Sequence, residues 1–237
     1  MEENNKKGPG VFYAVVGVAT LLVAIIGATF AYFSASVSSD GDNIQGSTND
    51  DIAGNMSLTV SKLTFSNAVA ASNNLVPAVL DGTEAAVNRA LTAGCTNDGY
   101  TGCHVYKITA TSTSNVTTAN LKLDLSVAAE NKANWKYLVY TGTDTTESGT
   151  TTAASATAVT TAATSLATAA SGVDIFMPAG GLTANAPKSW YLMVYLENVS
   201  SSQNDGTTTG TTNDTGSYSG SVTLQAAGGQ VKASFAA

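Results

Sequence analysis

Charged residues make up only 11% of this 237-residue chain, and its ten Lys and Arg are outnumbered by 17 Asp and Glu, giving a net charge of −7. So few cations cannot build the basic face that a phosphate backbone requires, which excludes nucleic acid as a partner. There is a single His, His104. Any Ser-His-Asp or Cys-His scheme must run through it, and no zinc-protease helix motif exists, so the chain reads as non-enzymatic with no catalytic residue. Helical periodicity is nearly absent beyond the first 33 residues, which excludes the helical bundle classes. Asp40, Asp42, Asp50 and Asp51 sit in no ligand-spaced loop and read as a solvated acidic stretch; no metal and no cofactor are expected.

Cysteine is also scarce. The two present, Cys95 and Cys103, enclose Thr-Asn-Asp-Gly-Tyr-Thr-Gly, a turn-rich stretch. A disulfide closing so short a loop would contribute about 2.5 kcal/mol on the chain-entropy argument. The competing reading is a metal site completed by the adjacent His104, although the three residues have no recognised zinc spacing.

Against these absences stands one long uncharged apolar run, Val11 to Phe33, preceded by Lys6 and Lys7. At about 1.5 Å per residue a helix of this length crosses a bilayer core of roughly 30 Å. Three fates are open to it. As a signal peptide it is cut after Ala31, with Thr29 at the minus-three position and Tyr32 as the new N-terminus. As a signal anchor it stays, with Lys6 and Lys7 inside and residues 11–33 in the membrane. As a pilin-type leader it is cut after Gly10, leaving the helix as a filament core. Each sends the rest of the chain out of the cytoplasm, to the cell surface or the medium.

Residues 1–31 are therefore read as signal peptide or anchor, 32–54 as an extended polar arm, and 55–237 as one β-sandwich domain. Period-two alternation marks strands at Met56–Val60, Tyr106–Ala110, Leu121–Val127, Tyr218–Leu224 and Val231–Phe235. Trp135–Tyr140 and Val173–Met177 add two more. The second and third of the alternating strands, separated by Ser112-Thr113-Ser114-Asn115, are expected to pair or lie close in antiparallel fashion. Trp190–Glu197 is apolar on both phases and predicts a central strand covered on two sides. Glu84–Leu91 predicts a short helix. Residues 141–170 hold 12 Thr and 9 Ala with no sustained period, and read as a weakly packed loop or insertion. Ser200 to Gly216 is another polar loop. Asn55, Asn115, Asn198 and Asn213 open glycosylation sequons. The fold class is all-β, an antiparallel jelly roll or sandwich behind an N-terminal hydrophobic helix.

The border Thr29-Phe30-Ala31-Tyr32-Phe33 resembles the processing site of the TasA and camelysin family, which a SipW-type signal peptidase exports. Asn55-Met56-Ser57-Leu58-Thr59-Val60 is similar to that family's first strand, and Trp190 to Glu197 followed by Tyr218 to Leu224 resembles its last strand pair. The resemblance implies a jelly-roll subunit of a cell-surface or biofilm-matrix fibre, self-associating as the arm of one copy adds as a strand to the next. The Cys95 and Cys103 pair and the Thr-Ala tract depart from the family's pattern. A membrane-anchored surface module that binds a ligand through its Thr-rich loops is the alternative.

Overall fold

The computed structural model describes residues 55–65, 75–147, 150–176, 181–199, 203, 214–226 and 229–237. The apolar run 11–33, the processing residues Thr29, Ala31 and Tyr32, the arm 32–54, and the polar loop over 200–213 apart from Gln203 lie outside them. The described elements are β1 (Met56–Lys62), α1 (Glu84–Thr92), β2 (Thr96–Asn97), β3 (Tyr100–Thr101), β4 (Cys103–Ser112), β5 (Ala119–Ala129), β6 (Trp135–Glu147), β7 (Thr150–Ser165), β8 (Ala170–Phe176), β9 (Lys188–Leu196), β10 (Gly216–Ala226) and β11 (Gly229–Ala236). They form a five-stranded sheet ordered β1-β4-β9-β6-β7 and a four-stranded sheet ordered β11-β10-β5-β8, antiparallel throughout.

The alternation read from the sequence sets which side chains meet between the sheets. Met56, Leu58, Ile108, Val139, Trp190, Leu192 and Val194 from the larger sheet pack on Leu121, Leu123, Leu125, Val222, Leu224, Val231 and Phe235 from the smaller. This is the core of an all-β sandwich. Strand β9 lies at the centre of its sheet, and its opposite phase is buried too: Tyr191, Met193 and Tyr195 lie under a lobe that contributes Leu63, Phe65, Leu80, Ala86, Val87 and Leu91. Helix α1 forms as expected. Thr83 caps it by accepting from the Ala86 amide, and Ala86, Val87 and Leu91 make its buried face.

Two expectations are corrected. Strands β4 and β5 do not pair: β4 hydrogen-bonds to β1 and β9, and β5 to β10 and β8. The connecting segment crosses from one sheet to the other because Val116 is buried in the core and bridges Leu182, which pulls the chain over the end of the sandwich. The second correction concerns the Thr-Ala tract over 141–170. It is not a loop: the tract lengthens β6 to Glu147 and supplies all of β7, which pairs with β6 along its length. Between Lys136↔Ser165 and Glu147↔Thr150 the register shifts four times, each placing an extra residue on β7. Four bulges explain why no period survives in the sequence, since each one flips the face that follows.

Replacing Leu192 with Ala, deep between the sheets, will lower the unfolding free energy by about 2–5 kcal/mol. Val79→Ser, at a position 74% exposed, will change it by less than about 0.5 kcal/mol; urea denaturation reads both.

Candidate functional site

Cys95 and Cys103 are bonded to each other. The turn between them is built by Asp98 and Gly99, both at positive φ, which closes the small β2–β3 hairpin in the way an Asp-Gly pair favours. Both cysteines are buried against the outer face of β9, so the bond fastens the end of the α1 lobe to the larger sheet. With both sulfurs committed, the alternative metal set of Cys95, Cys103 and His104 is not formed. Among the described residues no three His, Cys, Asp or Glu are grouped to hold a metal ion.

His104 turns the other way, into the sandwich. Its Nδ1 lies 2.6 Å from the Tyr218 hydroxyl, which lies 2.8 Å from the Tyr106 hydroxyl, and Tyr106 donates to the Ala236 carbonyl at 2.7 Å. A carbonyl only accepts, so the direction of the whole chain is fixed from that end. Tyr106 donates to Ala236, Tyr218 donates to Tyr106, and His104 must carry its proton on Nδ1 to donate to Tyr218. Its Nε2 is left as a bare lone pair, buried with no partner. Protonating Nε2 would bury an N–H with nothing to accept it, and burial together with the Lys62 charge pulls the imidazole down to about 3. Burial pushes Tyr106 up to about 12 and Tyr218 well above its usual range. The relay ties β4 in one sheet to β10 and β11 in the other; it has no exposed nucleophile or base.

Two further polar clusters escaped the sequence reading. Asp214, fully buried, accepts from the side-chain amides of Asn134 and Gln203, while its carbonyl accepts the Trp135 indole N–H. On the outer face of the larger sheet, Lys107 reaches across β9 to both carboxylate oxygens of Asp144 at 2.7 and 2.9 Å. Tyr191, on β9 between them, donates to Asp144 at 2.8 Å and stacks on Tyr140. A shallow groove of about 630 Å³ crosses the outer face of the smaller sheet beside Ser219 and Ser221, and another of about 620 Å³ lies beside Trp135 and Asp214. The first lining holds Asp124 and Lys232 and the second holds Asp214, and neither contains a His or a Cys.

The sheet edges are where the molecule is most asymmetric. On one side β1 and β11 lie next to each other across the two sheets, each in unbroken register with its single partner. Leu63 donates to the Val105 carbonyl, and Thr113 to that of Asn55. By antiparallel alternation the backbone groups of Met56, Leu58 and Val60 therefore point away from β4. The Ala237 amide donates to Tyr218 in the same way, so the backbone groups of Lys232 and Ser234 point away from β10. On the opposite side β7 carries four register shifts and β8 two. One side of the sandwich is regular and the other is broken.

No family model matches the chain, and no curated protein matches it in sequence. No helix among the described residues is long and apolar enough to cross a membrane.

Removing the disulfide with Cys95→Ser and Cys103→Ser will cost about 2.5 kcal/mol on the chain-entropy argument, read as a lower urea midpoint. His104 gives a second test. Its folded-state value lies near 3 against 6.5 for the ordinary group, so below pH 6.5 the unfolded chain binds a proton that the folded chain refuses. Stability will fall by about 1.4 kcal/mol per pH unit from this group as the pH drops from 6.5 towards 3. His104→Gln will flatten that slope, and an unchanged slope would contradict it.

Proposed function

We propose that this chain is a non-enzymatic structural subunit that acts outside the cytoplasm and self-associates into a cell-surface or biofilm-matrix fibre. In this reading a signal peptidase of the SipW type frees Tyr32, and the polar arm 32–54 adds as a strand to the next copy. The sandwich is then a jelly roll of the TasA and camelysin kind. The observation that carries the reading is the regular side of the sandwich, where β1 and β11 present outward-facing backbone groups in unbroken register. An extended segment docks on such an edge through main-chain hydrogen bonds.

Charge and length are compatible with this occupant. The arm carries Asp40, Asp42, Asp50 and Asp51 and no cation, while β1 ends in Lys62 and β11 holds Lys232. At about 3.3 Å per residue the arm exceeds the length of either strand severalfold. It also leads straight into β1, so a donated arm keeps its own sandwich close to the acceptor.

The uncharged length of 11–33 favours a second reading, a membrane-anchored surface module that keeps this run as its anchor. Intact mass of the protein from cells and medium separates the two, a chain starting at Tyr32 supporting the fibre subunit. Deleting residues 32–51 from the mature protein will abolish polymerisation while leaving the folded domain's thermal transition in place. Fibres of unchanged appearance after that deletion would refute strand donation.

A further inference from the structure

Strand β7 has the composition of a hazardous edge. Its sixteen residues, Thr150–Ser165, contain only Thr, Ala, Ser and one Val, with no charge and no Pro. Edge strands are ordinarily protected from pairing with other chains by a Lys, a Pro or an inward charge, and β7 has none of these. Its bulges protect it in part. The remaining protection comes from the segment Asp81–Thr92, which approaches β7 at two places.

At the first, the Asn88 side chain on α1 donates from Nδ2 to the Ala156 carbonyl at 3.0 Å and accepts from the Ala156 amide at Oδ1 at 2.7 Å. A carboxamide has the same donor and acceptor pair as a peptide unit, so these are the two bonds that a neighbouring strand would make to Ala156. At the second, Gly82 packs on Ala163 so closely that a Cβ built on it would stand 2.8 Å from the Ala163 Cβ. The two contacts are seven residues apart along β7, and so bracket the middle of the edge. Ala86, Val87 and Leu91 hold the helix down on the sheet between them, and Cys95 anchors the far end of the segment to Cys103.

We infer that α1 is an edge guard: Asn88 occupies the strand-pairing groups of Ala156 on β7, and without that clamp the stretch Ser155–Ala163 pairs with the same stretch of a second copy. The expected partner is β7 itself, because an uncharged edge meeting its own copy brings no like-charge repulsion. This contact lies on the side of the sandwich opposite β1 and β11, and it does not depend on the fibre reading.

The test uses the full exported chain carrying Ala158→Cys, an exposed β7 position; among the described residues no other cysteine is free. Oxidative cross-linking between copies is measured with and without Asn88→Ala. The inference predicts at least a tenfold higher yield of cross-linked dimer with Asn88→Ala, and an intermediate yield with Asn88→Asp, which keeps the acceptor for the Ala156 amide but loses the donor. Should Asn88→Ala fail to fold, Asn88→Asp carries the test. Leu224→Ala, which weakens the smaller sheet away from this edge, is the control for general destabilisation. Equal yields with and without the Asn88 substitutions, or an equal rise with Leu224→Ala, would overturn the inference.

Discussion

Strand β9 has no solvent-facing side, and the architecture follows from satisfying it. Trp190, Leu192, Val194 and Leu196 need the smaller sheet against them, and Tyr191, Met193 and Tyr195 need a second layer on the opposite face. A two-layer sandwich supplies only the first. The second is assembled from Leu63, Phe65, Leu80, α1 and the disulfide, whose only shared property is that they are small pieces of apolar surface. Fastenings hold those pieces in place: the Cys95–Cys103 bond, the Ala78 amide on the Leu196 carbonyl, the Tyr195 hydroxyl on the Leu80 carbonyl and the Asn88 clamp on β7. With both faces of β9 covered, the five-stranded sheet is open to a further strand only at its edges.

The edges differ for reasons that trace back to sequence. Strands β1 and β11 alternate cleanly, pair without interruption and leave half of their backbone groups turned outward. Strand β7 alternates nowhere, is bulged four times and is met by a side chain that imitates a strand. The relay from His104 to Ala236 belongs to the regular side. It holds β11 against β4 from within the core, so that two edge strands from different sheets stand next to each other as one surface. Under the proposed reading, a regular side and a side met by α1 give the molecule one direction in which to extend.

Much of this could be read from the residues. Strict alternation located β1, β4, β5, β10 and β11, and the doubly apolar run from Trp190 located the central strand, because burial imposes those patterns directly. The short helix at Glu84–Leu91 and the turn-rich stretch between Cys95 and Cys103 were likewise local. What was not legible is what the fold decides at a distance. Whether Ser112–Asn115 turned back into the same sheet or crossed to the other depended on Val116 being buried. The strand character of residues 150–165 depended on β6 and α1, since Thr and Ala give little hydrophobic contrast and each bulge inverts the phase. The partners in the His104, Tyr218 and Tyr106 relay are more than a hundred residues apart. Only one hint was available, that Tyr106 and Tyr218 fall on the inward phase of their strands, where a phenol needs a hydrogen-bond partner.

The proposal that the β1 and β11 side is left unfinished for a second copy is tested most directly by residue-resolved amide hydrogen exchange on residues 32–237, as a free subunit and under assembling conditions. In the free subunit the amides of β9 will exchange slowest, while those of Met56, Leu58, Val60, Lys232 and Ser234 exchange fast, and on assembly these five will become protected. Amides on that side that are already protected in the free subunit, or that exchange equally fast after assembly, would contradict the account.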